Sequence, residues 1–363
     1  MTTPLRLSIV IPTFNERSNV GELLSRLEAV LGATGWEVIF VDDDSPDGTA
    51  ALVRRIARTD PRVRCLQRIN RRGLSSACID GMLASAAPVI AVMDADLQHD
   101  EAILPTMLSE IERGNADVVV GTRYGVGGST GDWNRGRAIL SRIATAASRG
   151  VLTRHLSDPM SGFFMLGRPV LDATVRDLSG LGFKILLDIL TTGDQPLRVV
   201  EVPYKFRERF TGESKLDGLV VWEYGMLLAH KKVGRYLPVR FLAFSIVGGL
   251  GVGIHMLTLA AMLRGFHVGF AGAQSIATAT AMTCNFALNN VLTHRDRRLK
   301  GWAWLRGLAT FMLACGVGAA ANVGVATYLF ESRTQWAVAG LAGVLVSAVW
   351  NYAVTHIYTW RGR

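Results

Sequence analysis

Two aspartates one residue apart, Asp94 and Asp96, follow the apolar run Val89–Met93 and lead into Leu97-Gln98-His99. Carboxylates so spaced at a strand end can share a divalent cation. A hard ion such as Mg²⁺ or Mn²⁺ suits oxygen ligands and binds through a few carboxylates plus the phosphates of a substrate. A lone D-x-D is a weak signal. Two further acidic segments precede it, Ile11-Pro12-Thr13-Phe14-Asn15-Glu16 and Val41-Asp42-Asp43-Asp44-Ser45-Pro46-Asp47-Gly48, each again ending an apolar run. A single aspartate in such a place commonly serves as an exposed helix cap; three acidic clusters on one edge point to a shared ligand. Of seven scattered histidines, His99 alone adjoins the motif, and both a structural hydrogen bond and a chemical role stay open for it.

The elements that must position these residues alternate in period. Short β-rich runs at Leu7–Ile11, Trp36–Val41, Val63–Gln67, Val89–Met93 and Val118–Val120 are interleaved with helical patterns at Val20–Leu31, Thr49–Arg58, Leu74–Ala86 and Ile103–Arg113. Strand, helix, strand at this spacing predicts an α/β domain with a mainly parallel sheet and crossover helices. Ligands of such sheets sit beyond the carboxyl ends of the strands, where the acidic clusters fall.

The remainder of the chain is of another kind. The 363 residues are 49% apolar with a mean hydropathy of +0.26, high for an ordinary soluble protein. Residues 1–238 carry 29 Lys and Arg against 28 Asp and Glu, whereas 239–363 carry 10 against 2. The net charge of +9 therefore belongs to the tail, where it brackets apolar runs instead of forming a patch interleaved with aromatics, which excludes nucleic acid in favour of a bilayer. Four stretches, Phe241–Leu263, Val268–Leu292, Gly307–Phe330 and Ala337–Trp360, are free of charge and 23 to 25 residues long. A helix of that length covers roughly 35 Å, enough for a hydrocarbon core of about 30 Å. Cations cluster before the first stretch (Lys231, Lys232, Arg235, Arg240), between the second and third (Arg295, Arg297, Arg298, Lys300, Arg306) and after the fourth (Arg361, Arg363). The positive-inside rule then predicts a multi-pass protein with both termini and the N-terminal domain cytoplasmic, and Met1–Pro12 does not read as a signal peptide. Two amphipathic segments, Ile139–Leu156 and Leu216–Tyr236, either pack on the sheet or lie in the interface. Cys65, Cys78, Cys284 and Cys315 are too dispersed for a disulfide scaffold or a zinc site. Asn285, Asn289, Asn290, Asn322 and Asn351, with Gly249 and Gly253 at GxxxG spacing, suit interhelical contacts; a lipid-handling role is the alternative reading.

The segments PTFNE, VDDDSPDGT, GLSSA, VMDADLQH, VGTRY, DPMSGFF, GFKILLDIL, VEVPYKF and GESK run in order from about residue 7 to 218. In them the chain resembles the inverting family 2 glycosyltransferases of GT-A fold, and among these the dolichol-phosphate mannose synthases. The tail resembles the GtrA-like four-helix membrane domain that some of them carry. The resemblance implies a catalytic domain over 1–215, interface helices or a linker over 216–238, and a membrane domain over 239–363. It implies that Pro12, Phe14, Glu16, Val41 and Asp43 hold the base and ribose of a nucleotide sugar, and that Asp94, Asp96 and Gln98 hold Mg²⁺ or Mn²⁺ on its diphosphate, Ala95 lying beside them. Lys184, Arg209 and Lys215 would contact the donor, while Arg123, Arg137 and Ser141 would receive the phosphate of a lipid acceptor. Asp94, Asp96 and Arg123 are the residues expected to carry catalysis. Phe14, Asp100 and Thr122 stand where the family often has Tyr, Pro and Ser.

The chemistry agrees with these types. A lipid phosphate is anionic at neutral pH, so sugar transfer to it needs no base to deprotonate the nucleophile. The site must instead neutralise two sets of phosphates, which explains basic residues beside acidic ones. A single in-line displacement would turn an α-linked nucleotide sugar into a β-linked lipid-phosphate sugar. What the resemblance implies, DPMSGFF favouring mannose over glucose, is mannose transfer from GDP-mannose to a polyprenyl or dolichyl phosphate. The alternatives are UDP-glucose or another donor, and a lipid translocator bearing a degenerate enzyme. A processive polysaccharide synthase is disfavoured, because no Q-x-x-R-W motif is present. Asp158-Pro159-Met160-Ser161-Gly162-Phe163-Phe164 reads either as a loop beside the acceptor or as a tight turn ahead of a strand.

Overall fold

The structure, a computed structural model, describes residues 4–124, 156–179, 184–193, 196–207, 225–226, 239–294, 298–332 and 336–360. The chain divides into two compact units, Met1–Lys232 and Val233–Arg363.

In the first unit β1 (Leu7–Thr13), β2 (Trp36–Asp42), β3 (Val63–Gln67), β4 (Val89–Val92), β5 (Val118–Thr122), β6 (Phe164–Gly167) and β7 (Val199–Pro203) form one sheet in the order β3-β2-β1-β4-β6-β5-β7. β6 runs antiparallel to β4 and β5; the other pairings are parallel. β1, β2 and β4 are buried along their whole length, as a sheet covered on both faces requires; Ser8 of β1 is paired with Glu37 of β2 by a 2.6 Å hydrogen bond. Helices α1 (Val20–Leu31) and α4 (Leu104–Glu112) pack on Leu7, Ile9 and Ile11 of one face. Helices α3 (Leu74–Ala84), α5 (Arg168–Thr174) and α6 (Ile185–Leu190) pack with Val10, Ile39 and Val41 on the other, and α2 (Thr49–Ala57) follows β2. α3 reaches the sheet at Gly81, where a Cβ would collide with the side chains of Val10 and Val41; only glycine lets the backbone come that close.

From β1 to β5 the observed boundaries agree with the predicted ones to within two residues, and the differences have causes. α3 ends at Ala84, not Ala86, because Ser85 is extended and Arg168 takes the released carbonyls of Ser85 and Ala87 at 2.6 and 3.0 Å. β1 and β5 run two residues further than their apolar cores, through Thr13 and Thr122.

In the second unit α7 (Val239–Ala260), α8 (Phe270–Leu288) and α10 (Trp336–Val354) each continue into a π-turn, at Ala261–Gly265, Asn289–Thr293 and Thr355–Thr359, and α9 spans Trp302–Glu331. Phe244, Phe286, Phe311 and Trp360 form its buried centre. Among the described residues Phe241–Gly265 and Trp302–Ala321 are long and apolar enough to cross a membrane. The amphipathic segments predicted over 139–156 and 216–236 lie outside the described residues but for Leu156, Gly225 and Met226.

Candidate active site

The strand order reverses direction between β1 and β4, and the crevice at such a switch point is where ligands bind. Three of the acidic segments meet there, at the carboxyl ends of β1, β2 and β4. The antiparallel β6 delivers its preceding loop, Asp158–Phe163, to the same edge, since Phe164 pairs with Val92. Beyond each of the three parallel strands one non-glycine residue is left-handed: Asn15 at φ 61°, Asp44 at 59° and Leu97 at 63°. Backbone strain of this kind gathers at sites where side chains must be aimed.

At the β1–β2 end Pro12 lies opposite Val41 in the sheet register, and both are buried. Phe14 is half-buried with the Arg72 guanidinium 4.4 Å from its ring centre. Glu16 accepts from Asn19 Nδ2 at 2.7 Å. Asp42 is consumed by structure, accepting from Ser45 N at 2.9 Å and Ser45 Oγ at 2.6 Å. Asp43 instead faces α3: Arg68 Nη1 donates to its Oδ1 and Gly73 N to its Oδ2, both at 2.7 Å. Arg68 is buried and also pairs with Asp80 at 3.1 Å. No spacing signal marked Arg68, a polar residue just past a strand, yet it holds the predicted donor-binding carboxylate.

At the β4 end Asp94 and Asp96 part company. Asp96 is buried and its Oδ1 accepts from Gln98 N at 3.1 Å, a turn that the left-handed Leu97 closes. Asp94 keeps 39% of its side chain exposed, with His99 Nε2 3.7 Å from its Oδ2, and its own N–H donates to His99 Nδ1 at 3.1 Å. Partial withdrawal from water pushes the Asp94 carboxyl above the ordinary range; Asp96 adds to the shift, and His99, Lys184 and Arg123 oppose it. His99 is accordingly fixed by structure: it is buried, stacks on Phe163 at 5.1 Å and meets Tyr204 edge-on at 5.8 Å. Ala95 is buried between the two carboxylates. Gln98 Nε2 donates to the carbonyl of Arg207 at 3.1 Å.

The Asp158–Phe163 segment runs past the Asp94 carboxylate. It is a tight turn, with Ser161 N bonded to Asp158 O and Ser161 Oγ to Gly121 O at 2.7 Å, and it also lines the site. A Cβ on Gly162 would stand 3.1 Å from Asp94 Oδ2, so glycine is what lets this loop pass the carboxylate. Lys184 Nζ reaches the loop at Met160 O, 2.9 Å away. Asp158, 1% exposed, receives Arg123 in a two-pronged contact, Nε to Oδ2 at 2.6 Å and Nη2 to Oδ1 at 2.8 Å. Burial works against the charge of Arg123, but Asp158 outweighs it and raises the guanidinium pKa further. The structure therefore brings together Pro12, Phe14, Glu16, Val41, Asp43, Asp94, Ala95, Asp96, Gln98, Arg123 and Lys184 on one sheet edge. Arg137, Ser141, Arg209 and Lys215 lie outside the described residues.

No third His, Cys, Asp or Glu joins Asp94 and Asp96 into a metal-holding group among the described residues. Two carboxylates nonetheless fit Mg²⁺ or Mn²⁺ where phosphate oxygens complete the shell. Asp94, with 39% of its side chain exposed at the strand end, is open to such an ion.

Fold and site define a GT-A glycosyltransferase joined to a helical membrane domain. Residues 8–174 match the family "Glycosyl transferase family 2" and residues 243–360 match "GtrA/DPMS, transmembrane domain". A dolichol-phosphate mannosyltransferase of Pyrococcus furiosus is 34% identical over 98% of this chain and 99% of its own length. Another, of Mycosarcoma maydis, is 37% identical over 69% of this chain and 88% of its own. The chain belongs to the dolichol-phosphate mannosyltransferase family of glycosyltransferases. Among solved structures, glucosyl-3-phosphoglycerate synthase from Mycobacterium tuberculosis is 19% identical, with a TM-score of 0.47 over 62% of this chain and 79% of its own.

Proposed function

We propose that the chain transfers mannose from GDP-mannose to a polyprenyl or dolichyl phosphate with inversion at the anomeric carbon, from the cytoplasmic face of a membrane that its C-terminal helices cross four times. The observation that carries this reading is the meeting, on one sheet edge, of an acidic pair suited to a metal-bound diphosphate and a partly exposed guanidinium, oriented by Asp158, suited to a second phosphate. The family membership above supports mannose and a lipid phosphate as the two partners.

In this reading Pro12, Phe14, Glu16, Val41 and Asp43 bind base and ribose. Pro12 lies opposite Val41 in the register of β1 on β2, and Arg68 and the N–H of Gly73 hold the Asp43 carboxylate at the end of β2. Asp94, Asp96 and Gln98 would hold Mg²⁺ or Mn²⁺, which when bound supplies charge neutralisation to the departing diphosphate. Lys184, Arg209 and Lys215 add positive charge around the donor. Arg123, Arg137 and Ser141 receive the acceptor phosphate; its charge is already present, so the residues need only aim it at the sugar carbon opposite the leaving group. Asp158 keeps Arg123 in plane for that task.

The test is transfer of radiolabelled sugar from GDP-mannose, and in parallel UDP-glucose, to organic-extractable lipid by the purified protein with a polyprenyl phosphate and Mn²⁺ or Mg²⁺. Metal-dependent labelling from GDP-mannose, lost in Asp96→Asn, is the expected result. Labelling from UDP-glucose alone overturns the donor and keeps the reaction class; labelling from neither overturns the proposal and favours the reading of a lipid translocator bearing a degenerate enzyme.

A further inference from the structure

Glu201 stands in the middle of β7 between Val200 and Val202, opposite Val120 of β5, where a charged side chain must find partners or cost stability. It finds three donors, all in one turn of the chain. Its Oε1 accepts from Ser157 N at 2.9 Å, Ser157 Oγ at 2.7 Å and Asp158 N at 3.2 Å, and its Oε2 lies 3.2 Å from Ser157 N. Ser157 Oγ also meets Thr122 Oγ1 at 2.6 Å, and Thr122 Oγ1 accepts from Tyr124 N at 3.2 Å. The two residues so gripped flank the site: Arg123 lies between Thr122 and Tyr124, and the carboxylate of Asp158 holds the Arg123 fork.

We propose that Glu201 is a positioning residue for Arg123. By binding the backbone N–H groups of Ser157 and Asp158, and through Ser157 the end of β5, it fixes both ends of the Arg123–Asp158 fork in one frame. The proposal rests on the reading of Arg123 as the residue that meets the acceptor phosphate. A two-pronged guanidinium contact is directional, so a small rotation of the 157–158 turn re-aims the arginine without unfolding the sheet.

The experiment is a double-mutant cycle in the full-length protein, using GDP-mannose and a polyprenyl phosphate. Glu201→Gln is expected to raise KM for the lipid phosphate about tenfold, leave KM for the nucleotide sugar within about twofold, and shift the melting temperature by no more than about 3 °C. In an Arg123→Ala background the same change is expected to add nothing. Additive effects, or an equal rise of both KM values, overturn the positioning role. Should Arg123→Ala alter donor parameters in place of the lipid KM, the acceptor reading of Arg123 fails, and the cycle run on the altered parameter still decides the role of Glu201. If Glu201→Gln does not fold, Ser157→Ala, which removes only one acceptance by Glu201, is expected to shift the lipid KM the same way by a smaller factor; no shift overturns the proposal.

A separate observation concerns the second unit. Asn285-Phe-Ala-Leu-Asn-Asn-Val-Leu-Thr-His-Arg295 and Asn351-Tyr-Ala-Val-Thr-His-Ile-Tyr-Thr-Trp-Arg361 align without a gap. Their π-turns fall at equivalent places, Asn289–Thr293 and Thr355–Thr359, and their closing residues share one backbone conformation, His294 at φ −118°, ψ 39° and Trp360 at φ −110°, ψ 41°. The side chains repeat as well. Asn289 Nδ2 donates to Asn285 O at 2.9 Å as Thr355 Oγ1 donates to Asn351 O at 2.5 Å. Asn285 fills the space over Gly251 of α7 as Asn351 fills that over Gly318 of α9. Contacts between the hairpins come in matched pairs: Phe244 with Tyr352 at 5.8 Å and Phe311 with Phe286 at 5.7 Å; His294 with His356 at 5.5 Å and Trp360 Nε1 with Asn290 Oδ1 at 3.2 Å. Residues equivalent to each other also meet, Phe244 with Phe311 tilted at 6.5 Å and His294 stacked on Trp360 at 4.1 Å.

We infer that the membrane unit is a duplicated helical hairpin, α7–α8 and α9–α10, closed about a pseudo-twofold axis on which those two self-equivalent pairs lie. Exchanging partners across the axis must then be tolerated where changing one is not. In the full-length protein, His294→Trp and Trp360→His are each expected to lower the melting temperature by about 5 °C, and the exchanged double variant to return within about 2 °C of the original. In the double variant a tryptophan at 294 faces His356, which can accept its N–H as Asn290 accepts that of Trp360. A double variant as unstable as the sum of the singles, or singles without effect, overturns the inference. If the single variants do not fold, Gly251→Ala and Gly318→Ala supply the comparison, with matching losses expected and unequal losses overturning it.

Discussion

Asp94 and Asp96 sit one residue apart yet differ in what surrounds them, and that difference sets how each answers to pH. Because the Asp94 carboxyl lies above its ordinary range for want of water and next to Asp96, the folded metal-free protein binds this proton more tightly than the unfolded chain does. Its contribution to stability is full below the unfolded pKa and is lost as pH rises through the folded one. A divalent cation needs the ionised form, so its stabilising effect must run the other way. Melting curves between about pH 4 and 8 are expected to show a Mn²⁺-induced rise that grows with pH and disappears in Asp94→Asn. Gly162→Ala probes the same carboxylate by contact. A methyl 3.1 Å from Asp94 Oδ2 is over-packed and displaces it at a cost of about 1 kcal/mol. Turnover is expected to fall roughly tenfold with little change in KM for the lipid, as read by steady-state kinetics.

Strand ends, and not strands, carry the chemistry of the first unit, and what holds those ends is largely side chain to backbone. Asp47 accepts from Thr49 N at 2.9 Å and from Arg17 N at 3.1 Å, stitching the loop after β1 to the start of α2. Its carboxyl lies below the ordinary range, since the bonds from Thr49 and Arg17 together outweigh the opposing effect of burial. Arg68 does the equivalent work after β3, joining Asp43, Gly73, Ser76 and Asp80. Removing one partner of a buried charge cluster strands the others, at a cost of about 3 kcal/mol. Arg68→Met is therefore expected to destabilise by that order in denaturant unfolding and to weaken donor binding. Arg71→Met, at an arginine whose side chain is 60% exposed beside the same Asp80, is expected to cost under about 1 kcal/mol. The apolar runs and their spacing announced every strand from β1 to β5, whereas β6, Phe164–Gly167, was legible only as the strand that one reading of the 158–164 turn placed after it. Only pairing with β4 and β5 makes it a strand.

For the molecule as a whole, the proposed topology can be read with a membrane-impermeant maleimide. In a background with the four native cysteines changed to serine, a cysteine replacing Arg333 is expected to label from outside in intact cells. One replacing Arg298 is expected to label only after lysis, as the distribution of loop cations requires. Labelling of Arg298→Cys in intact cells would contradict a cytoplasmic catalytic domain.

What the one-dimensional order of residues determines here is whatever depends on local period and type. Alternating apolar runs imply a parallel sheet, charge-free stretches imply membrane helices, and acidic residues at the ends of runs mark the edge where a ligand belongs. These are readable because hydrophobic periodicity is a property of neighbours in the chain. The partners of the site's charges are set by distance in space. Arg68 turning Asp43, Asp158 forking Arg123, Gly162 passing Asp94 and Glu201 gripping the 157–158 turn join residues up to 68 positions apart. The same holds in the membrane unit, where His294 and Trp360 meet although each, in sequence, is only an aromatic ring at the end of an apolar run. Burial then decides what those contacts are worth, since a charge or ring removed from water depends on the neighbours that folding brings to it.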